Sequence, residues 1–250
     1  MGRRPGRLVI GLLSTVALLL VWHIVSLRMA KDLILPSPLL VGREFAALAA
    51  TPLFLASLWA TFIRGLVAFF LSTVAGIIVG FAAGRYAAFE AAISPLLTTI
   101  RATPVLALIL LTLLWFPSDF VPVFAAFLMA FPVMASSAVE GIRASPPELL
   151  EMSRLYRVPR MKILLGLRIP AAMPHILAGA RSAIGLCWKV VVAGEVLAQP
   201  FRAIGTGMQS SRVLLETPRV FAWAFSAILL CGASEWLFAR LTRERRSGAL

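Results

Sequence analysis

The side chains that could do chemistry in this chain are few and poorly placed for catalysis. Two cysteines, Cys187 and Cys231, and two histidines, His23 and His175, are scattered singly, the cysteines within long apolar runs. A Cys-based zinc site or a disulfide-dense scaffold needs such residues grouped at short spacing, so neither is expected. No Gly-x-Ser-x-Gly is present, and an intramembrane enzyme would lack a nucleophile, base or metal constellation. Charge in unusual places is the remaining feature. Lys189 and Glu195 interrupt an apolar run, and residues 140–168 hold Arg143, Glu148, Glu151, Arg154, Arg157, Arg160, Lys162 and Arg168.

An ionised side chain facing lipid is costly, so Lys189 and Glu195 are expected to face protein or water. Six helical positions amount to about 600° of rotation, an offset of roughly 120°, so the two do not pair directly on one face. They either line or gate a polar path, with Trp188 beside Lys189, or pair with another helix. Lys189 would suit an anionic substrate. Arg64 and Arg101, near helix ends, are read as interfacial or snorkelling, and Glu235 as a partner for a neighbouring helix. Trp115, Trp188, Trp223 and Trp236 are read as packing or interface residues.

The charged segment carries a helical code. Ser145-Pro146-Pro147-Glu148 reads as a capping box with Ser145 at the N-cap. Leu149, Met152 and Tyr156 then fall at i, i+3 and i+7, an apolar face. Val158-Pro159 breaks the helix, and Pro159 is expected to start a second short one through Leu167. The expectation is two short helices at the membrane surface, exposing Leu149, Met152, Leu155 and Tyr156. The pattern alone fits either an amphipathic loop on the membrane or a docking knob for a cytoplasmic partner.

The elements that position these residues are membrane spans. The chain of 250 residues is 60% apolar and 14% charged, with mean hydropathy +0.92; soluble domains run about 45–50% and about 25%. At about 20 residues per crossing there is room for roughly six helices and none for a second catalytic domain. Apolar runs place them near residues 8–27, 62–84, 93 or 104 to 116, 120–139, 174–197 and 220–241. The first follows Arg3, Arg4 and Arg7 but is too long for a signal-peptide core and has no small-residue cleavage site, so it is read as an uncleaved span. Residues 28–58 form a polar connector with Pro36-Ser37-Pro38 and an amphipathic stretch over 41–50. The second run has Ala68, Ser72, Gly76, Gly80 and Gly84 on one stripe, where another helix backbone can approach closely.

The net charge of +13 belongs to orientation. With the N-terminus inside, sixteen Lys and Arg residues, from Arg3, Arg4 and Arg7 to Arg243, Arg245 and Arg246, fall on the cytoplasmic side and seven outside. No basic patch interleaved with aromatics argues for nucleic acid.

Glu151-Met152-Ser153 followed by Leu167-Arg168-Ile169-Pro170 resembles the EAA loop of ATP-binding-cassette (ABC) importer permeases. That loop reads Glu-Ala-Ala, three residues, Gly, nine residues, Ile-x-Leu-Pro, and the nineteen positions from Glu151 to Pro170 match its spacing. The run from Pro170 to Arg181 is similar to the subfamily serving nitrate, sulfonate, taurine and pyrimidine precursors. So are Leu35-Pro36-Ser37-Pro38, Arg101-Ala102-Thr103-Pro104, Leu114-Trp115-Phe116, Trp188 and Glu195. The likeness covers residues 35–245. Two departures stand out: Met152-Ser153 replaces Ala-Ala, and Arg157 replaces the glycine. A left-handed Arg would cost about 1 kcal/mol, so Val158-Pro159 is expected to take over the break.

The resemblance implies an all-α polytopic membrane protein of about six transmembrane helices. Its architecture would be type I, MetI-like, with both termini cytoplasmic and the chain in the cell inner membrane. Residues 1–34 would hold the first helix and the start of a periplasmic connector, and 35–250 the permease domain with its coupling loop at about 143–170. The coupling residues would be Glu148, Leu149, Glu151, Met152, Arg154, Leu155, Tyr156, Arg157, Val158, Pro159 and Pro170. The implied partners are two ABC ATPase subunits, a second permease copy forming a homodimer, and a periplasmic or lipoprotein substrate-binding protein. The chain contains no Gly-Lys pair and so no Gly-x-x-x-x-Gly-Lys phosphate loop. It is expected to be a transport subunit rather than an enzyme and to hold no cofactor, with ATP and Mg bound by the partner ATPase. The alternative is a secondary transporter or channel without an ATPase, which would show carboxylate or histidine relays and internal repeats.

Overall fold

Ser37 and Thr51 each precede a proline, and each caps a helix: the Ser37 hydroxyl accepts the Leu40 N–H and the Thr51 hydroxyl that of Phe54, both at 3.3 Å. These caps turn much of the expected polar connector into helix. The computed structural model describes residues 5–29 and 31–247, with side chains over 9–29 and 31–242. Arg3 and Arg4 of the orientation count lie outside the described residues, as do the side chains of Arg7, Arg243, Arg245 and Arg246.

The helices are α1 (Pro5–Met29), α2 (Pro38–Ala49), α3 (Pro52–Arg85), α4 (Ala87–Ala102), α5 (Val105–Thr112), α6 (Val121–Arg143), α7 (Pro147–Leu155), α8 (Arg160–Ile163), α9 (Ile169–Ala198), α10 (Ile204–Val213) and α11 (Thr217–Ser247). Among the described residues there is no strand. Five stretches are long and apolar enough to cross a membrane: Val9–Met29, Pro52–Arg85, Val121–Arg143, Arg160–Ala198 and Thr217–Thr242. The pair α4 and α5 forms a sixth, bent by 99°.

The second crossing thus begins at Pro52 rather than near 62, because Thr51 caps it there. The third is broken rather than continuous. Pro104 cannot donate a helical hydrogen bond, and Thr103 before it is extended at φ −73°, ψ 126°. Irregular backbone within a membrane is stable only against protein or a watery cavity. Arg101 at this break does not snorkel outward. Its guanidinium donates to the Pro132 carbonyl of α6 at 2.9 Å and to the Ser136 hydroxyl.

Helix α6 lies between α3 and α9. The stripe read from the sequence faces it: Ala68, Ser72, Gly76 and Gly80 are all buried. A side chain at Gly76 would collide with Met134, one at Gly80 with the Ala135 carbonyl and Ala138, and one at Gly84 with Ile142. On its other side, α6 brings Gly141 against the Ala172 backbone of α9, and Ser137 against Gly179. Alanines at 125, 126, 130, 172, 180 and 183 fill the seam. A second core, formed by Leu48, Phe54, Ile204, Ala222 and Trp223, ties α2, α3, α10 and α11 together. Arg181 of α9 donates to Thr242 of α11 at 2.8 Å.

Gly80→Leu is therefore expected to destabilise the protein by about 1–3 kcal/mol through overpacking. The measurement is the melting temperature of the full chain in detergent. Gly42→Ala, at a position with nothing within 4 Å, should leave it no lower. An unchanged transition in Gly80→Leu would contradict close α3–α6 packing.

Candidate functional site

The chemistry-bearing residues collect at the two ends of the α3–α6–α9 layer. At the end that the basic residues mark as cytoplasmic, α6 stops at Arg143 and the chain projects as α7. The helix begins at Pro147, one residue later than the capping box requires. Ser145 instead donates its hydroxyl back to the Ile142 carbonyl at 3.3 Å, and no side chain caps α7. Pro146 and Pro147 make this cheap, since neither brings an N–H that needs a partner. Glu148 in the first turn and Arg154 in the last complement the helix dipole.

Arg157 corrects the expectation for the turn. It takes the left-handed conformation itself, with φ 51°. The Val158 N–H reaches the Ser153 carbonyl at 2.9 Å and the Arg157 N–H the Arg154 carbonyl at 3.0 Å. This double closure is the Schellman pattern, with Arg157 where glycine is favoured. Val158-Pro159 therefore does not relocate the break; Pro159 follows it as the N-cap of α8.

The second helix is not a separate short one ending at Leu167. A π-helical turn over Leu164–Arg168 carries α8 straight into α9, and the Ile169 N–H bonds the Leu164 carbonyl. Pro170 accounts for the widened turn, because its ring would clash with a carbonyl four residues back. The loop is thus continuous with a membrane span. Leu149, Met152, Leu155 and Tyr156 of α7 are 44, 53, 80 and 74% exposed. Glu148, Glu151, Arg154, Arg157, Pro159 and Pro170 are also exposed, and Val158 is half-buried.

The outer end carries a buried carboxylate. Glu195 is fully buried. Its two oxygens accept the Thr61 hydroxyl at 2.9 Å, Arg64 Nη1 at 3.0 Å and the Gly205 N–H at 3.2 Å. Thr61 in turn accepts the Ile204 N–H, while Arg64 also donates to the Arg202 carbonyl and pairs with Asp119. Arg64 is thus not a snorkelling residue. It joins α3 to α9, to the α9–α10 connection and to the α5–α6 connection.

Trp188 is 1% exposed, stacks on Phe62 at 5.8 Å, and occupies the space that a side chain at Gly65 would need. Its indole N–H finds no partner among the described residues. Trp188 and Glu195 are therefore interior to the protomer and line no open path in this conformation. Lys189, between them in sequence, is exposed on α9, and Glu235 is exposed on α11 with a carboxylate oxygen against Gly185.

Sequence reasoning missed Thr61, Asp119 and the Arg64 pairing. The available clue was demand: a carboxylate in a membrane helix needs a cation at similar depth, and Arg64 was the nearest candidate on the outer side.

Residues 72–247 match the family described as binding-protein-dependent transport system inner membrane component, and the chain belongs to it. It is 29% identical over 218 residues to the taurine transport system permease protein TauC of Escherichia coli, covering 84% of this chain and 79% of that one. It is 27% identical to the putative aliphatic sulfonates transport permease protein SsuC of Bacillus subtilis, over 88% and 82% of the two chains. The riboflavin transport system permease protein RibX of Chloroflexus aurantiacus is 32% identical, over 93% and 87%. In fold it is similar to the inward-facing MetNI methionine ABC transporter, with TM-score 0.64, 17% identity, and coverage of 77% of this chain and 95% of that one. The chain is a multi-pass inner-membrane permease subunit of an ABC importer. Its family is a transport component rather than an enzyme, and implies an ATPase and a substrate-binding protein as partners.

Two expectations follow from the geometry. Arg157→Gly should raise stability by about 1 kcal/mol, read as a higher melting temperature of the full chain in detergent. Arg64→Met, which strands the Glu195 carboxylate, should cost about 3–5 kcal/mol, as Glu195→Met, which strands the guanidinium, should cost heavily too. The double change Arg64→Met/Glu195→Met should be much milder, and additive losses in that cycle would refute the pairing.

Proposed function

We propose that the chain converts ATP-driven closure of a separate ATPase pair into switching of a membrane pathway, with α7 as the docking element. The observation that carries this reading is the apolar face of Leu149, Met152, Leu155 and Tyr156, exposed on a helix that leads through α8 and the π-helical turn into α9. A knob in a groove on the ATPase would bury this face. Because α8 and α9 are continuous, displacement of the knob would reach the span that carries Lys189 and Glu195. Such coupling through a docked two-state element is an established mode of switching.

Two permease copies, each over one ATPase subunit, complete the proposed assembly. Lys189 and Glu235 support it, since both are exposed on membrane spans of one protomer, where a lipid contact would be costly. A second copy or a water-filled pathway would cover them. The broken α4–α5 pair, with Arg101 at its bend, favours the same assignment for its own face. The solute is proposed to be small and anionic or heterocyclic, of the sulfonate, taurine, nitrate or pyrimidine-precursor kind. The names of the taurine and sulfonate relatives support this class, as does a cationic Lys189. A substrate-binding protein delivers it, and Glu195 with Arg64 holds the outer ends of α3 and α9 together during the cycle.

The test uses the tagged chain purified with its cognate ATPase subunit. Leu155→Ala is expected to weaken ATPase association by about 1–2 kcal/mol, and deletion of residues 148–159 to abolish it while the chain still inserts. Glu151→Ala should lower transport-linked ATP hydrolysis. A deletion variant that inserts and still copurifies with a functioning ATPase would overturn the coupling assignment.

A further inference from the structure

Behind α7 lies a cavity of about 680 Å³, between the cytoplasmic ends of α3 and α6 and the inner side of the α7–α8 turn. Five arginines line it: Arg85, Arg154, Arg157, Arg160 and Arg168. No acidic side chain is among its lining residues, and among the described residues none of the five forms an ion pair. The neighbouring Arg143 is different, being paired with Glu90. Like charges gathered around one concavity repel, and guanidinium groups are shaped to hold phosphate in a two-pronged grip.

Apart from Tyr86 and Ser153, the rest of the wall is apolar. Phe81, Ile142, Leu150 and Leu164 contribute to it. The cavity sits at the depth where the apolar spans change to charged chain. Helix α3 ends at Arg85, beside Tyr86, with the Arg85 guanidinium 5.2 Å from the Tyr86 ring centroid, and the span that runs through α8 into α9 begins at Arg160. Arginine and tyrosine at that level mark the membrane–water interface.

Helix α7 separates this cavity from the proposed docking face. Leu150, Ser153 and Arg154 follow i, i+3 and i+4 on α7 and line the cavity together with Arg157 of the turn, whereas Leu149, Met152 and Leu155, with Tyr156 at the C-cap, lie on the rest of the helix. From this arrangement we infer that the cavity binds the phosphodiester headgroup of an anionic phospholipid from the cytoplasmic leaflet, its acyl chains lying along the apolar wall. Basic pockets at this level of membrane proteins suit such headgroups. The bound lipid would offset part of the charge of the arginine cluster and brace the α7–α8 turn against α3. The inference rests on the cytoplasmic assignment of this end and not on the docking role of α7.

Native mass spectrometry of the full-length chain in detergent, titrated with phosphatidylglycerol or phosphatidylcholine, tests it. Wild type should retain phosphatidylglycerol selectively. Arg85→Gln/Arg160→Gln, which leaves α7 untouched, should bind it roughly 30-fold more weakly, about fivefold per arginine. Arg240→Gln, a basic residue outside the cavity, should bind as wild type does. Equal retention by the double variant would overturn the inference. So would displacement of the lipid by equimolar inorganic phosphate, which would make this a site for the free anion. Variants that keep the lipid but lose the cognate ATPase would assign the arginines to that protein instead. Should the double variant not fold, phenylglyoxal modification of Arg157 in wild type decides: phosphatidylglycerol should protect it and phosphatidylcholine should not, and equal modification in both would refute the site.

Discussion

Helix α6 approaches both α3 and α9 closely enough for backbone to meet side chain, and the rest of the molecule depends on that approach. Lipid tails are as apolar as leucine, so burial of oily surface does not hold membrane helices together; close van der Waals packing must. The missing side chains at Gly76 and Gly80 of α3, and at Gly141 and Gly179 across the α6–α9 seam, make that packing available. The three spans thereby form one layer, and both charged ends of the protein are mounted on it.

Each end uses its charge differently. At the outer end, Glu195 has its oxygens occupied by Thr61, Arg64 and the Gly205 N–H, so a buried carboxylate fixes three elements in register. At the cytoplasmic end, five arginines line the cavity behind α7 with no carboxylate among its lining residues, and the apolar face of α7 is left open. The first arrangement is satisfied within one protomer. The second is incomplete and calls for ligands from outside the chain, in keeping with a family whose members work with an ATPase and a binding protein.

Much of this was legible in the sequence, because spans and small-residue stripes repeat a simple spacing. The stripe from Ala68 to Gly84 turned up facing α6, and the position of the α7 knob followed from its prolines and apolar spacing. Details set by competition between neighbours were not legible. Ser145 forms no capping box, because its hydroxyl is used at the end of α6. Arg157 accepts a left-handed backbone rather than passing the turn to Pro159, since two hydrogen bonds and the following proline outweigh a cost of about 1 kcal/mol. The bend at Thr103-Pro104 showed in the sequence only as two alternative starts, 93 or 104, for a single crossing, because apolar residues lie on both sides of it. Arg64 and Arg101 looked interfacial because their partners, Glu195 and the Pro132 carbonyl, lie 131 and 31 residues away.

One face of α7 is proposed to meet the ATPase while the opposite face belongs to the permease interior. Cysteine cross-linking in the assembled transporter tests it most directly, with a water-soluble reagent that is thiol-reactive at one end and photoactivatable at the other, and cysteines introduced as Leu155→Cys or Ser153→Cys. Cross-links to the ATPase subunit are expected from position 155 and not from position 153. Efficient cross-linking from 153, or none from 155, would contradict the account.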